Sequence, residues 1–367
     1  MTTLSPSPSA APVATREVDP ERLEAFVGQL ITDVGATLSS ALVVIGDQLG
    51  LYRAMADGVP VSADELAERT GTSARYVAPW LANQAAGGYV EYDPATGLFS
   101  LTPEQALALA DEDGPAFFAG ASQLALGTVR DAHTIQERFR TGQGFGWHEH
   151  DTDLFDGTER FFRPGYVAHL VTSWLPALTG VVPALEQGAE VWDVGCGHGA
   201  SLILMAQAFP RSTFVGFDYH EASITVARRR AEAAGLSDRV RFEVADATAL
   251  PAGSADLIAM FDCLHDMGDP VAAARSALGS LAEGGTLMVV EPRAGDALED
   301  NLHVVGRVFY AASTLICTPG SLDQPGARAL GTQAGPAVLT DVLREAGFGH
   351  VRVATTTPVN LVLEARR

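Results

Sequence analysis

A glycine-rich turn between a short apolar segment and a long one constrains this chain more than any other feature. Val191 to Val194 predict a strand, Gly195-Cys196-Gly197-His198-Gly199 follow, and the apolar run over 200–209 predicts a helix. Glycines let the backbone turn sharply and approach a ligand closely, and the start of a helix offers unpaired N–H groups. The pattern alone is weak evidence, because nucleotide, flavin and adenosyl sites all use such turns.

The side chains that follow the neighbouring strands narrow the choice of ligand. Each of four further predicted strands ends next to a carboxylate: 212–217 next to Asp218, 240–244 next to Asp246, 255–261 next to Asp262, and 285–290 next to Glu291. Open α/β sheets bind ligands at this edge, where Asp218 can accept bonds from both ribose hydroxyls and Asp246 can accept the adenine amino group. Asp193, inside the first turn, would repel a pyrophosphate but suits an ammonium group. The pattern therefore favours an adenine nucleoside with a cationic, methionine-type tail.

These motifs give residues 185–367 a resemblance to class I S-adenosylmethionine-dependent methyltransferases. The resemblance implies an α/β fold with a Rossmann-like, seven-stranded sheet. It also implies S-adenosylmethionine as the cofactor and S-adenosylhomocysteine as the product. The positions that match the cofactor site, with their neighbours, are Asp193, Gly195, Cys196, Gly197, Asp218, Tyr219, Asp246, Ala247, Phe261 and Asp262.

Composition excludes several classes of function. The net charge of the 367 residues is −21, and all 24 basic residues are Arg because the sequence contains no Lys. A lysine Schiff base is therefore excluded, and so acidic a surface disfavours nucleic acid and anionic membranes as partners. Cys196, Cys263 and Cys317 show neither disulfide nor zinc spacing. No run of about eighteen apolar residues and no basic-then-apolar leader occurs, so we expect a cytoplasmic protein.

The first 55 residues combine a polar tail with two predicted helices. Residues 1–18 are rich in Pro, Ser and Ala and predict a disordered tail. Asp19 suits the N-cap of a helix whose apolar residues recur at helical spacing as far as Val34. A second helix, predicted over 37–55, is apolar nearly all round. Such a helix must be buried on several sides. We therefore interpret it as part of the interface of a homodimer; the alternative is a plain core helix.

The segment 62–101 predicts a winged helix. A capped helix, a turn, a second helix over 74–86 and a hairpin follow one another. Residues 1–110 carry 5 Arg against 13 Asp and Glu, and the second helix offers only Arg75 as a cation. Because phosphate neutralisation drives DNA binding, this charge argues against a repressor. We therefore interpret residues 19–110 as a winged-helix dimerisation domain.

A winged-helix domain in front of this sheet resembles the small-molecule O-methyltransferases of plant phenolic and bacterial antibiotic pathways. Within that family, DVGCGHGAS, GFDYHEASI and CLHDMGDP are similar to a set of actinobacterial methyltransferases. The resemblance covers residues 20–367 and implies methyl transfer to a hydroxyl of a secondary metabolite by a homodimer. Its motifs are specific for the cofactor and not for the acceptor. Transfer to carbon or nitrogen, non-methylating chemistry and a regulatory role are therefore the alternatives.

Residues 111–180 predict a helical connector and lid. Its loop WHEHDTD (147–153) is either a metal site or substrate-gripping loop, or a solvated acidic loop. Adjacent ligands without a second, distant pair are poor metal geometry, so we expect no metal and assign His148 to the acceptor. On the helix that follows, Arg163 and Tyr166 could reach the cofactor's carboxylate, and Tyr166 is also assigned to the acceptor site.

The stretch CLHDMGDP after the fourth strand carries the predicted chemistry. Methyl transfer to oxygen needs in-line approach and removal of the acceptor proton. An unperturbed histidine has a pKa of about 6.5, and a carboxylate at its far nitrogen would fix its tautomer. The resembled family reads His-Asp-Trp-x-Asp with the histidine as base, which implies His265 as the base and Glu291 as its orienting carboxylate. Met267 replaces the tryptophan, which concerns pocket shape more than chemistry.

The alternative for this stretch is that His265 only caps the loop. Asp266 is predicted to be structural and to satisfy the loop's N–H groups.

Residues 292–336 predict an insertion within the methyltransferase domain, which we assign to 181–367. His303, Arg307 and Tyr310 lie at helical spacing, so one helix face carries a polar stripe. That face either covers the acceptor pocket and helps to choose the substrate, or is a dimer face.

Overall fold

One long helix opens the structure, a computed structural model that describes residues 17–367. Helix α1 (Pro20–Gln48) begins at Asp19, whose Oδ1 accepts the backbone N–H of Glu21 at 3.0 Å. The prediction of two separate helices here is wrong, because the sequence between them contains neither a proline nor a terminating cap. The helix ends just before Gly50, which adopts a left-handed φ of 72°. The predicted disordered tail falls, for residues 1–16, outside the described residues.

The two ends of α1 differ in burial. Its first part exposes a row of apolar side chains: Leu23, Phe26, Val27, Leu30, Ile31, Val34 and Leu38. Val43 near its end, and Leu51, Tyr52 and Met55 beyond it, are buried in the core of the N-terminal domain. By length and mean hydropathy (1.4 over an 18-residue window) α1 could cross a membrane, as could the bent pair 152–177 with 181–187. The test is weak evidence, because buried core helices and signal sequences also pass it, and the window in α1 is 11% buried.

The winged helix follows α1, which confirms its prediction. Its elements are α2 (Ala63–Thr70), α3 (Ala74–Ala86), β1 (Glu91–Asp93), β2 (Leu98–Ser100) and α4 (Pro103–Leu109). Ser62 and Glu65 form a reciprocal capping box at the start of α2. The indole Nε1 of Trp80 on α3 donates to the carbonyl of Leu42 at 2.8 Å, which holds α1 against the domain.

A set of helices connects this domain to the sheet. It comprises α5 (Ala119–Arg130), α6 (Ala132–Thr141), α7 (Thr152–His169), a π-helical turn (Leu170–Trp174), α8 (Leu175–Ala177) and α9 (Val181–Gln187). Helices α5 and α7 approach closely where each presents a glycine. A Cβ on Gly127 would lie 2.6 Å from the backbone nitrogen of Leu154, and one on Gly157 would lie 2.4 Å from that of Leu124.

The C-terminal half is a seven-stranded sheet with helices on both faces. Its strands are β3 (Glu190–Val194), β4 (Thr213–Asp218), β5 (Val240–Val244), β6 (Ala255–Phe261), β7 (Leu281–Pro292), β8 (His350–Thr356) and β9 (Asn360–Arg366). The spatial order is β5-β4-β3-β6-β7-β9-β8, with β9 antiparallel to both neighbours and the first five strands parallel. The predicted α/β, Rossmann-like, seven-stranded fold with a winged-helix N-terminal domain is confirmed.

The remaining helices complete this domain. They are α10 (Ala200–Ala208), α11 (Glu221–Ala233), α12 (Pro270–Ser280), α13 (Val304–Ala312), α14 (Thr318–Leu322) and α15 (Pro336–Ala346). The central strands are apolar along their length because both faces are covered. Val191 packs into the core on one face and Trp192 into the core on the other. Asp193 lies in register with Gly216 and Ala259, so the carboxyl ends of β3, β4 and β6 reach one edge together.

The close approach of α5 and α7 predicts a large difference between two glycine substitutions in α7. Gly157→Ala should lower the free energy of unfolding by roughly 1–3 kcal/mol, because its Cβ would meet backbone atoms that cannot move aside. Gly165→Ala, in the same helix, meets nothing within 4 Å and should be neutral or stabilise by up to about 1 kcal/mol. Denaturant unfolding of both variants checks this, and equal effects would contradict the described packing.

Candidate active site

The turn after β3 is built from glycines that other residues could not replace. Gly195 and Gly197 have φ angles of 77° and 50°, in the left-handed region. A Cβ on Gly195 would lie 2.7 Å from Sγ of Cys263, so the turn and the loop after β6 are in close contact. A Cβ on Gly197 would meet nothing within 4 Å, so the backbone there faces open space that a ligand can approach.

Asp193 is a buried carboxylate with an unsatisfied oxygen. Its Oδ2 accepts a hydrogen bond from the hydroxyl of Ser201 on α10, while its Oδ1 is buried without a hydrogen-bond partner. Burial raises the pKa of Asp193 to about 7, against the lowering effect of the Ser201 bond. A buried acceptor without a partner is costly unless a ligand supplies a donor. This oxygen therefore fits an ammonium group.

Asp218, at the end of β4, holds the glycine turn in place. Its Oδ2 accepts the backbone N–H of Gly197 at 2.9 Å, and its Oδ1 accepts that of His220 at 2.8 Å. Burial raises its pKa, and these two bonds oppose the rise. Each carboxylate oxygen keeps acceptor capacity beyond one bond, so Asp218 can still receive a pair of hydroxyl groups. The neighbouring Tyr219 is 49% exposed, which leaves its ring free to cover a ligand.

Asp246 follows β5 at the same edge and is exposed. Its Oδ1 accepts both the backbone N–H and the hydroxyl of Thr248, each at 2.8 Å. These bonds fix the carboxylate beside Ala247, which begins a short 3-10 turn. The arrangement leaves an acceptor at the position where an adenine amino group is expected.

Asp262 ends β6 in a conformation that is unusual for a residue with a side chain. Its φ is 50°, and its two carboxylate oxygens lie 3.4 Å from the hydroxyl of Tyr166 and 3.4 Å from the amide of Asn360. Burial raises the pKa values of Asp262 and Tyr166 well above their usual ranges. The Tyr166 ring lies 5.2 Å from that of Phe261, so α7 closes over the end of the strand.

His265 and Glu291 form a buried pair at the ends of β6 and β7. The Nδ1 of His265 is hydrogen-bonded to Oε2 of Glu291, and the two side chains are 3% and 1% exposed. Oε1 of Glu291 accepts the backbone N–H of Leu264 at 2.9 Å and that of His265 at 3.3 Å. Glu291 therefore fixes both the loop and the imidazole, and Nδ1 carries the proton that it donates to the carboxylate. The lone pair of neutral His265 is then on Nε2.

The surroundings of Nε2 favour a charged imidazole in the free protein. Nε2 lies 3.1 Å from Oδ1 of Asp266, and Cys317 packs on the same side. Burial alone would lower the pKa of His265, but the carboxylates of Asp266 and Glu291 raise it well above the usual range. Asp266 does not satisfy the loop's N–H groups, so that prediction is wrong. Gln324 does so instead, accepting the N–H of Gly268 at 3.1 Å and donating to the carbonyl of Asp266 at 3.0 Å.

Several residues that the sequence assigns to the site instead make contacts elsewhere in the protein. Arg163 pairs with Asp113 at 2.8 Å and is not placed beside Asp193. His303 caps α13 by accepting the N–H of Gly306 at 3.1 Å. Arg307 is exposed and makes two bonds, of 3.0 and 2.7 Å, to Asp33 of α1, and the choice between a pocket face and a dimer face stays a prediction.

Tyr310 is half-buried on α13, and His148 is exposed beside the 3-10 turn that follows Gly146. Neither has a hydrogen bond to His265 among the described residues, and their assignment to the acceptor stays a prediction. The other polar groups of the loop 147–153 serve the fold. His150 Nδ1 lies 2.7 Å from Asp131, and Arg130 binds both Asp151 and Asp153. Within residues 17–367 this loop does not form a metal-ligand cluster.

The sequence analysis does not predict four residues that contribute to this site: Ser201, Cys317, Gln324 and Asn360. Ser201 has a weak signal, since it is the second residue of the helix that follows the glycine turn. The other three are between 51 and 98 positions away from their partners, which are His265 and Asp266 for Cys317, Asp266 and Gly268 for Gln324, and Asp262 for Asn360. No local pattern marks them.

Comparisons with known proteins identify two domains in the chain. Residues 185–323 match a methyltransferase domain, and residues 37–111 match an Rv2258c-like winged HTH domain. The chain is 26% identical over 377 aligned positions to the O-demethylpuromycin-O-methyltransferase of Streptomyces alboniger, covering 97% of this chain and 95% of that one.

A second relative is similar over a shorter stretch. The 27-O-demethylrifamycin SV methyltransferase of Amycolatopsis mediterranei is 34% identical over 146 residues, which covers 38% of this chain and 53% of the relative. The chain thus matches about half the length of that relative, as it does for several others.

Solved structures share the fold over nearly the whole chain. An O-methyltransferase family protein from Burkholderia thailandensis has a TM-score of 0.67 at 18% identity and covers 96% of this chain and 99% of its own. Human N-acetylserotonin methyltransferase, solved in complex with S-adenosylmethionine, has a TM-score of 0.69 at 17% identity, with 96% and 99% covered.

The fold, the glycine turn with its acidic strand ends and the two domain matches lead to one assignment. The chain contains a methyltransferase domain and an N-terminal Rv2258c-like winged-helix domain, and it has the fold of the class I S-adenosylmethionine-dependent methyltransferases.

Proposed function

We propose that this protein transfers the methyl group of S-adenosylmethionine to a hydroxyl of a small secondary metabolite, with His265 as the general base. The observation that carries the proposal is the buried His265–Glu291 pair at the ends of β6 and β7. It places a ring nitrogen with a fixed orientation beside the edge of the sheet where the cofactor is expected. The bound cofactor supplies an electrophilic methyl group, and the protein supplies position and a proton acceptor.

The cofactor assignment rests on three carboxylates with different environments. Asp193 would accept the ammonium through its unpaired Oδ1, Asp218 the ribose hydroxyls, and Asp246 the adenine amino group. Gly195, Cys196 and Gly197 would let the backbone approach the cofactor. Tyr219, Ala247, Phe261 and Asp262 would surround the adenosine and the sulfonium from the neighbouring strand ends.

Glu291 would act as a positioning residue. Its second oxygen already accepts two backbone N–H groups, so its carboxylate cannot turn away from His265 without leaving buried donors unpaired. It would hold Nε2 toward the acceptor and stabilise the imidazolium that forms when His265 takes the proton. Removing the substrate's proton at Nε2 requires that His265 be neutral when the acceptor binds, so Asp266 must turn away or become neutralised.

The class of acceptor is inferred from the relatives. Both named relatives methylate a demethylated antibiotic precursor, and one of them is similar over nearly the whole chain. We infer an oxygen acceptor on a molecule of comparable kind. Tyr166, Tyr310 and His148 would contribute to its pocket. Transfer to nitrogen or carbon is the competing function, and it would not need His265 as a base.

We also infer that the protein is a cytoplasmic homodimer that binds neither nucleic acid nor a membrane. The exposed apolar side chains of α1 are continuous with those of Leu302, Val304 and Val308 around α13, because the Arg307–Asp33 pair joins the two helices. We call this the α1–α13 face. An uncovered apolar surface of this extent is typical of an interface, and a second copy of the chain covers it by two-fold symmetry. The net charge of −21 disfavours nucleic acid and anionic lipid.

Replacing the base should abolish most of the activity. For His265→Ala we expect methyl transfer to hydroxyl acceptors to fall by roughly 10²–10⁴, while S-adenosylmethionine binding is kept. The assay is transfer of labelled methyl to a panel of hydroxylated antibiotic precursors, including O-demethylpuromycin, with calorimetric titration of the cofactor alongside. His133→Ala, an exposed histidine on α6, is the matched control and should retain full activity. Undiminished transfer by His265→Ala to these hydroxyl acceptors would contradict the assignment of His265 as the base.

The dimer should depend on the α1–α13 face. Sedimentation velocity of the wild type should show a species of twice the 38.5 kDa chain. The double variant Phe26→Glu with Ile31→Glu should be monomeric, because it would bury charges at the interface. Tyr76→Glu, at an 81% exposed position on α3, is the control and should remain dimeric. A wild-type monomer, or a dimer that survives the double variant, would contradict the assignment of this face.

A further inference from the structure

A cysteine from the insertion meets the predicted base and its neighbouring carboxylate. Cys317 is the last residue of a π-helical turn (Ser313–Cys317) that continues α13, and it is 5% exposed. Its Sγ, a ring nitrogen of His265 and a carboxylate oxygen of Asp266 all lie within 4.8 Å of one another. The ring nitrogen that faces the cluster is Nε2, which lies 3.1 Å from Oδ1 of Asp266. Three different metal-ligating groups therefore converge on one point.

Two further observations indicate a ligand at this point. Oδ1 of Asp266 is buried and has no hydrogen-bond partner, although it lies 3.1 Å from Nε2 of His265. The other ring nitrogen of His265 is held by Glu291, which is the arrangement that orients metal-ligating histidines in proteins. The π-helical turn that delivers Cys317 is also a feature concentrated at functional sites.

We propose that His265, Asp266 and Cys317 bind a thiophilic divalent cation, and that this ion is principally Zn²⁺. The donor set is one imidazole nitrogen, one carboxylate oxygen and one thiolate, which leaves a fourth tetrahedral position open. A thiolate selects Zn²⁺ and similar transition metals, whereas Mg²⁺ and Ca²⁺ take oxygen ligands only. On binding, the Cys317 thiol and Nε2 of the charged His265 each give one proton to the buffer, and the thiolate and the Nε2 lone pair then coordinate the ion.

This ion would act on the proposed function by occupying the base. The lone pair on Nε2 cannot both coordinate Zn²⁺ and accept the acceptor's proton, so the metal-bound enzyme is inactive in hydroxyl methylation and a chelator restores it. This consequence rests on His265 being the base. Metal binding itself does not, since it requires only the three side chains and can be measured without cofactor or acceptor.

Cobalt substitution tests the site directly. The full chain, freed of metal by a chelator, is titrated with Co²⁺, which reports a thiolate ligand by a charge-transfer absorption band and tetrahedral geometry by its visible spectrum. We expect saturation at one Co²⁺ per chain and displacement of the spectrum by Zn²⁺. Glu291→Gln should weaken binding by about 10–100-fold, because it removes the group that orients the ligating histidine.

Cysteine variants provide matched controls within the same chain. Cys317→Ser should lose the charge-transfer band, whereas Cys263→Ser, two positions before His265, should keep it. Thermal unfolding of each variant confirms that it is folded. The proposal is overturned if the wild type gives no band or if the band survives Cys317→Ser. Either result would leave the methyltransferase function untouched, because the activity of His265→Ala tests that function separately.

Discussion

The site depends on one constraint, which is the burial of several acidic side chains at one edge of the sheet. These side chains are partly or wholly shielded from water. Burial raises the pKa of Asp193 to about 7 and that of Asp262 well above its usual range. The third carboxylate, Glu291, forms a buried ion pair with His265. Carboxylates in such surroundings stay ionised only when a cation is near. S-adenosylmethionine carries an ammonium and a sulfonium, so the site's charge complements the cofactor's. In the free protein these buried carboxylates avoid the cost of an uncompensated charge by binding protons. The positive charges of the cofactor would stabilise their ionised forms instead.

The insertion joins this edge to the rest of the molecule. From α13 to just beyond α14 the chain makes three contacts. Arg307 pairs with Asp33 of α1, Cys317 packs against His265, and Gln324 holds the loop after β6. The proposed dimer face and the proposed acceptor side are therefore built on one continuous segment of about twenty residues.

Local patterns predict much of this site, and long-range pairings explain what they miss. The glycine turn, Asp193, Asp218, Asp246, His265 and Glu291 were all marked by their positions after apolar strands, because parallel strands end at a common edge. Cys317, Gln324 and Asn360 carry no such mark, since their roles arise from packing of segments between 51 and 98 residues apart. The sequence predicts two helices in place of α1 because the apolar pattern changes along it. The first part of α1 is exposed, and its last part lies in the core of the N-terminal domain.

Proton release on cofactor binding tests the central electrostatic claim most directly. With a pKa of about 7, Asp193 holds a proton below that pH in the free protein, and the ammonium of S-adenosylmethionine favours the ionised form. Calorimetric titration about one pH unit lower, in two buffers of different ionisation enthalpy, should show a proton released and an affinity that rises as the pH approaches and passes 7. Asp193→Asn should bind more weakly and without this proton release, whereas Asp246→Asn should retain it. Binding heats that do not depend on the buffer, or undiminished affinity in Asp193→Asn, would contradict the account.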